Sequence, residues 1–149
     1  MPNSPTSPIV IDASTAIGAL LPALTPVDTL ERFVAWRQAG AAILAPPLFL
    51  AECTSVIRRY VHSTLLTADE GVTTLDDLAA LEVTIVPDTF VRCRAAYDWA
   101  ARLGQVRAYD GFYLALAHEL AAPLFTGDRR LANAGRQIGL DWIVWVGKP

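Results

Sequence analysis

Lysine is nearly missing from this chain of 149 residues: of twelve basic side chains, Lys148 is the only lysine and the rest are arginine. With fifteen acidic residues the net charge is −3, which excludes tight, purely electrostatic binding of a polyanion by the domain as a whole. Cysteine is scarce too. Cys53 and Cys93 fall within helical patterns and lack metal-ligand spacing, so they read as buried free thiols of a cytoplasmic protein. His62 and His118 have no partner at zinc spacing and read as surface or helix-end histidines rather than ligands of a zinc centre. The longest charge-free stretches, Ala13 to Val27 and Gln38 to Ala51, are too short for a membrane span and contain prolines. No glycine-rich phosphate loop is present, and no internal repeat or linker divides the chain. Met1 to Pro8 reads as a polar, proline-rich, flexible tail rather than a signal sequence, with a single domain over 9–149.

Apolar residues make up 53% of the chain, enough for one substantial core. Ile9 to Asp12, Ala42 to Ala45, Val83 to Val86, Leu124 to Thr126 and Trp142 to Val146 read as short strands. Helices are predicted from Ser14 to Leu21, from Pro26 to Gly40, and from Pro46-Pro47 to His62. A fourth opens on a capping box at Thr67 to Glu70, and others span Thr89 to Leu103, Arg107 to Ala121 and Asp128 to Ile138. Short apolar strands alternating with longer helices predict an α/β fold with a parallel sheet between helical layers. In such folds sites form beyond the carboxyl ends of the strands.

Four acidic residues stand in apolar sequence where a charge is unwelcome. Asp12 closes Ile9-Val10-Ile11, and Glu52 interrupts Pro47 to Cys53. Asp110 lies within Ala108 to Ala117, and Asp128 follows Leu124 to Gly127. Buried carboxylates are costly unless paired or bound to metal, and close neighbours raise one another's pKa. No lysine lies near any of them in sequence, so a hard divalent cation is the simplest compensation, and with it phosphoryl chemistry. Asp12 and Asp128 also suit helix N-caps, and Asp110 suits a helix N-terminus through the dipole. Glu52 has no such role. Its helical spacing to Leu48 and Val56 predicts that it points inward, toward the sheet. Ser14 and Thr126 are strand-end hydroxyls that either support the site or simply close turns.

These segments, in this order, resemble the PIN-domain family of metal-dependent ribonucleases. The likeness rests on Val10-Ile11-Asp12-Ala13-Ser14, on Pro47 to Glu52, on Tyr109 to Ala117 and on Thr126 to Leu131. The compact chain is similar to the toxin half of a bacterial VapBC-type toxin–antitoxin pair. The resemblance implies a PIN-like three-layer sandwich with a five-stranded parallel sheet. It implies Asp12, Glu52, Asp110 and Asp128 as ligands of one or two Mg²⁺ or Mn²⁺ ions, supported by Ser14 and Thr126. Some family members carry a further acidic residue after the last of these; here Arg129, Arg130 and Asn133 stand instead. Endonucleolytic RNA hydrolysis is implied, with RNA as substrate and an antitoxin as partner, docked near Pro26 to Leu66; a PIN-type nuclease that is not a toxin is the alternative. Tyr97, Trp99, Phe112 and Tyr113 predict a homodimer interface, with Arg102 and Arg107 guiding RNA. Three other readings fit less well. A receiver domain needs a lysine near its acidic pocket, and a haloacid-dehalogenase-like phosphatase needs an aspartate where Ser14 stands. An idle binding module has no use for all four carboxylates.

Overall fold

The computed structural model describes residues 7–148. Five strands form one all-parallel sheet: β1 (Pro8–Ile11), β2 (Ala42–Ala45), β3 (Thr84–Ile85), β4 (Leu124–Thr126) and β5 (Ile143–Trp145). Their spatial order is β3-β2-β1-β4-β5. The chain therefore winds outward from β1 in one direction and returns to wind outward in the other. β1 and β4 lie side by side at this reversal, with Ile11 in register with Phe125. Adjacent crossovers diverge at such a point and leave a crevice at the strand ends.

The helices are α1 (Ala13–Leu20), α2 (Leu30–Gln38), α3 (Leu48–His62), α4 (Ala68–Ala80), α5 (Phe90–Arg102), α6 (Tyr109–Glu119) and α7 (Arg129–Gln137). α1 packs against α2, α3 and α4; α5 packs against α6; α7 covers β4 and β5. This is the three-layer arrangement predicted. Val10, Ile11, Leu114, Leu116 and Leu124 are fully buried between the layers. The predicted capping box is formed: the Thr67 hydroxyl accepts from the Glu70 amide, and Glu70 accepts from the Thr67 amide. Gly111 lets α6 seat against α5, because a Cβ there would run into the Ala96 carbonyl. Among the described residues no helix is long and apolar enough to cross a membrane.

Several expectations need correction. Pro8, assigned to the tail, pairs with Ala42 and opens β1, while Met1 to Thr6 lie outside the described residues. Pro26 precedes α2 in a loop; the helix starts four residues later, where the buried Thr29 supplies the N-cap position. The third strand shrinks to Thr84–Ile85 at the sheet edge. Cys53 is buried but Cys93 only half-buried. Trp99 and Tyr113, taken as interface aromatics, belong to the core, where Trp99 meets Trp142 edge-on. Tyr97 is exposed, as an interface residue would be.

Candidate active site

The crevice at the β1–β4 reversal begins with Asp12. An extended backbone at Asp12 ends β1, and its Oδ1 caps α1 by accepting from the Thr15 amide at 3.0 Å. The same oxygen accepts from the Ser14 hydroxyl at 2.6 Å, and Oδ2 accepts from the Thr126 hydroxyl at 2.5 Å. Those hydroxyls are in turn fixed from β4: the Gly127 amide donates to Ser14 Oγ, and the Asp128 amide donates to Thr126 Oγ1. Two relays from one strand end thus converge on the carboxylate of its neighbour. Burial pushes the Asp12 pKa up, and the hydrogen bonds from Ser14, Thr126 and Thr15 oppose the rise. The capping role and the buried acid are both real; one side chain performs them together.

Asp128 likewise caps a helix. Its Oδ1 accepts from the Arg130 amide at 2.9 Å, and the side chain lies within 4.0 Å of the exposed Arg130 guanidinium. Asp110, in the first turn of α6, accepts from Gln105 Nε2 at 2.8 Å. Its pKa is raised by burial and by the charge of Asp128, against the Gln105 bond and the charge of Arg130. Glu52 accepts from the Tyr113 hydroxyl at 3.2 Å. Burial lifts Glu52 to about 7; the Tyr113 bond opposes this, and the charges of Asp12 and Asp110 add to it.

Glu52, Asp110 and Asp128 line one cavity of about 650 Å³, together with Gln105, Arg107 and Arg130. Asp12 does not line it. It is buried and acts on Glu52 through its charge. Glu52 does not point into the sheet either: the core stripe of α3 is Phe49, Cys53 and Ile57, one position further round the helix. That rotation leaves Glu52 half-buried on a cavity wall. It also faces a second, mostly apolar groove of about 580 Å³ lined by Ile17, Val27, Leu48, Val56 and Tyr60.

The donor set is all oxygen, and three of its members carry raised pKa values. That matches a hard divalent cation in chemistry. Among the described residues, however, no three His, Cys, Asp or Glu side chains close on a common point at ion-binding distance. Mg²⁺ tolerates such spacing, since it keeps several waters and takes only one or two carboxylates directly. Three contributors escaped sequence reasoning. The Thr15 hydroxyl reaches Asp12, Tyr113 was taken for an interface ring, and Gln105 carried no recognised motif. Of the arginines after Asp128, Arg129 stacks over Trp145 and only Arg130 faces the cavity.

Known proteins agree with this architecture. The PIN domain family matches residues 9–137. Ribonuclease VapC12 of Mycobacterium tuberculosis is 33% identical over 130 residues, spanning 85% of this chain and 91% of that protein. Ribonuclease VapC9 of the same organism is 34% identical over 128 residues, spanning 86% and 91%. PAE2754 from Pyrobaculum aerophilum superposes with a TM-score of 0.67 at 15% identity, covering 95% of this chain and 84% of that one. VapBC2 from Rickettsia felis, solved bound to a DNA fragment from its promoter, gives 0.62 at 11% identity, covering 93% and 96%. Those two structures speak to the fold alone; the family match and the mycobacterial sequences go further, and this chain belongs to the PIN domain family.

Proposed function

We propose that this protein is a divalent-metal-dependent endoribonuclease, the toxin of a toxin–antitoxin pair acting in the cytoplasm. The observation that carries the reading is the meeting of Glu52, Asp110 and Asp128 around one cavity, within reach of the charge of Asp12. Relatives named ribonucleases over most of the chain support it. Asp110, Asp128 and Glu52 would hold Mg²⁺ or Mn²⁺ directly or through water, with Asp12 adding its negative charge to theirs. When bound, the ion supplies Lewis acidity toward the phosphate and makes a water molecule more acidic.

The chain's own residues do the rest. Thr126 and Ser14 hold the Asp12 carboxylate in one orientation, and Tyr113 leaves Glu52 Oε1 free. Glu52, held by Tyr113 through Oε2 on the cavity wall, is placed to receive a proton from the attacking water. Arg107 and Arg130 on the cavity rim place positive charge where a flanking phosphate of RNA would lie. The apolar groove beside Glu52 would accept an antitoxin segment, whose cation could satisfy the same carboxylates and displace the metal.

The test is cleavage of an internally labelled RNA by purified protein. Cleavage with Mn²⁺ or Mg²⁺, stopped by EDTA and absent in Asp110→Asn, is expected. Intact RNA with either metal, or equal cleavage by Asp110→Asn, would overturn the reading.

A further inference from the structure

Helix α5 ends in a closed cap. Gly104 takes the left-handed conformation at φ +65°, which favours glycine. Its amide donates to Ala101 O at 3.1 Å, and the next amide, of Gln105, reaches Ala100 O at 2.9 Å. This pair of bonds is the Schellman closure, and it fixes the Gln105 backbone on the cavity rim.

From there Nε2 donates to Asp110 Oδ2, and among the described residues Asp110 Oδ1 has no donor. The amide's other end, Oε1, is buried and has no partner among the described residues. Turning the amide over would set Oε1 against the carboxylate and lose the one side-chain bond it makes among the described residues. A buried acceptor without a donor is a cost that folding alone does not require. What the arrangement achieves is a fixed Asp110 with one oxygen engaged and one left open.

We propose that Gln105 is a positioning residue, orienting Asp110 to bind a divalent cation; this rests on the metal-site reading above. Helix capping delivers the amide, and the amide sets the carboxylate plane. Outer partners of metal-binding carboxylates act in this way.

Mn²⁺ titration followed by electron paramagnetic resonance tests it, beside thermal melts in EDTA. Gln105→Met keeps the side-chain length and removes the donor. Its Kd for Mn²⁺ should rise about tenfold or more over wild type, with the EDTA melting midpoint level. Should that variant fold poorly, Gln105→Asn withdraws the amide by one methylene, and the same loss of affinity is expected. An unchanged Kd in a folded variant would overturn the inference and leave the site standing. No Mn²⁺ binding by the wild-type protein would overturn the site reading itself, and this inference with it.

Discussion

Thr126 Oγ1 donates to Asp12 Oδ2 across the seam between β4 and β1, and accepts in turn from the Asp128 amide. One fully buried hydroxyl therefore joins two acidic residues of the site. Thr126→Val keeps the shape but leaves a buried acceptor and a backbone amide without partners. Chemical denaturation should show a loss of about 2–6 kcal/mol, the sum of two unsatisfied groups. A loss below about 0.5 kcal/mol would show that water replaces the hydroxyl.

Asp12→Asn and Asp110→Asn should separate. Both should abolish RNA cleavage. In Asp110→Asn the EDTA melting midpoint should hold or rise, because a repelled, partly buried charge is removed. Asp12→Asn should melt lower by about 1–3 kcal/mol, since an amide nitrogen would face the donors now converging on Asp12. Calorimetry in EDTA distinguishes them, and equal stability of the two variants would contradict the geometry around Asp12.

The raised carboxylates fix the sign of the pH dependence. Glu52 lies at about 7 against an ordinary 4.5, so over that window the folded chain holds a proton that the unfolded chain releases. Stability without metal should therefore fall as pH rises from about 4.5 through 7, with Asp12 and Asp110 contributing in the same direction. Protons compete with metal for these groups, so Mn²⁺ affinity should climb over the same range and offset the loss. Melts across pH, with EDTA and with Mn²⁺, give both slopes. A midpoint that climbs with pH in EDTA would refute the uncompensated charge.

A homodimer is the expected solution state, with Tyr97 kept from the aromatics first singled out and Phe90 in place of the core residues Trp99 and Tyr113. Phe90 and Tyr97 are 95% and 71% exposed and lie seven positions apart on one stripe of α5, with Val91 beside them. Light scattering should give the mass of two chains, and Tyr97→Glu should shift it toward one. A monomeric wild type would refute the dimer and leave the nuclease reading untouched.

The strands and most helices were legible because apolar period and capping residues act locally: Thr67 to Glu70 formed the box its sequence announces. The acidic residues were legible because charge in apolar sequence needs a reason. What escaped depends on rotation and on distant pairing. A shift of one position round α3 separates the inward stripe of Phe49, Cys53 and Ile57 from the cavity-facing Glu52, finer than an i, i+4 pattern resolves. Gln105 and Tyr113 gain their roles only when α5, α6 and α3 meet at the crevice. Pro26 misled because a proline marks a helix start and a loop equally well.

The bond between Asp12 and Thr126 spans 114 positions of the chain. During synthesis, then, the first half of the acidic cluster emerges long before the strand that completes it. A nascent chain that has not yet released β4 has Asp12 without its Thr126 donor and a cavity without Asp128. If the four carboxylates are the site, a product truncated before Asp128 should bring no cleaving activity to the message from which it is being translated.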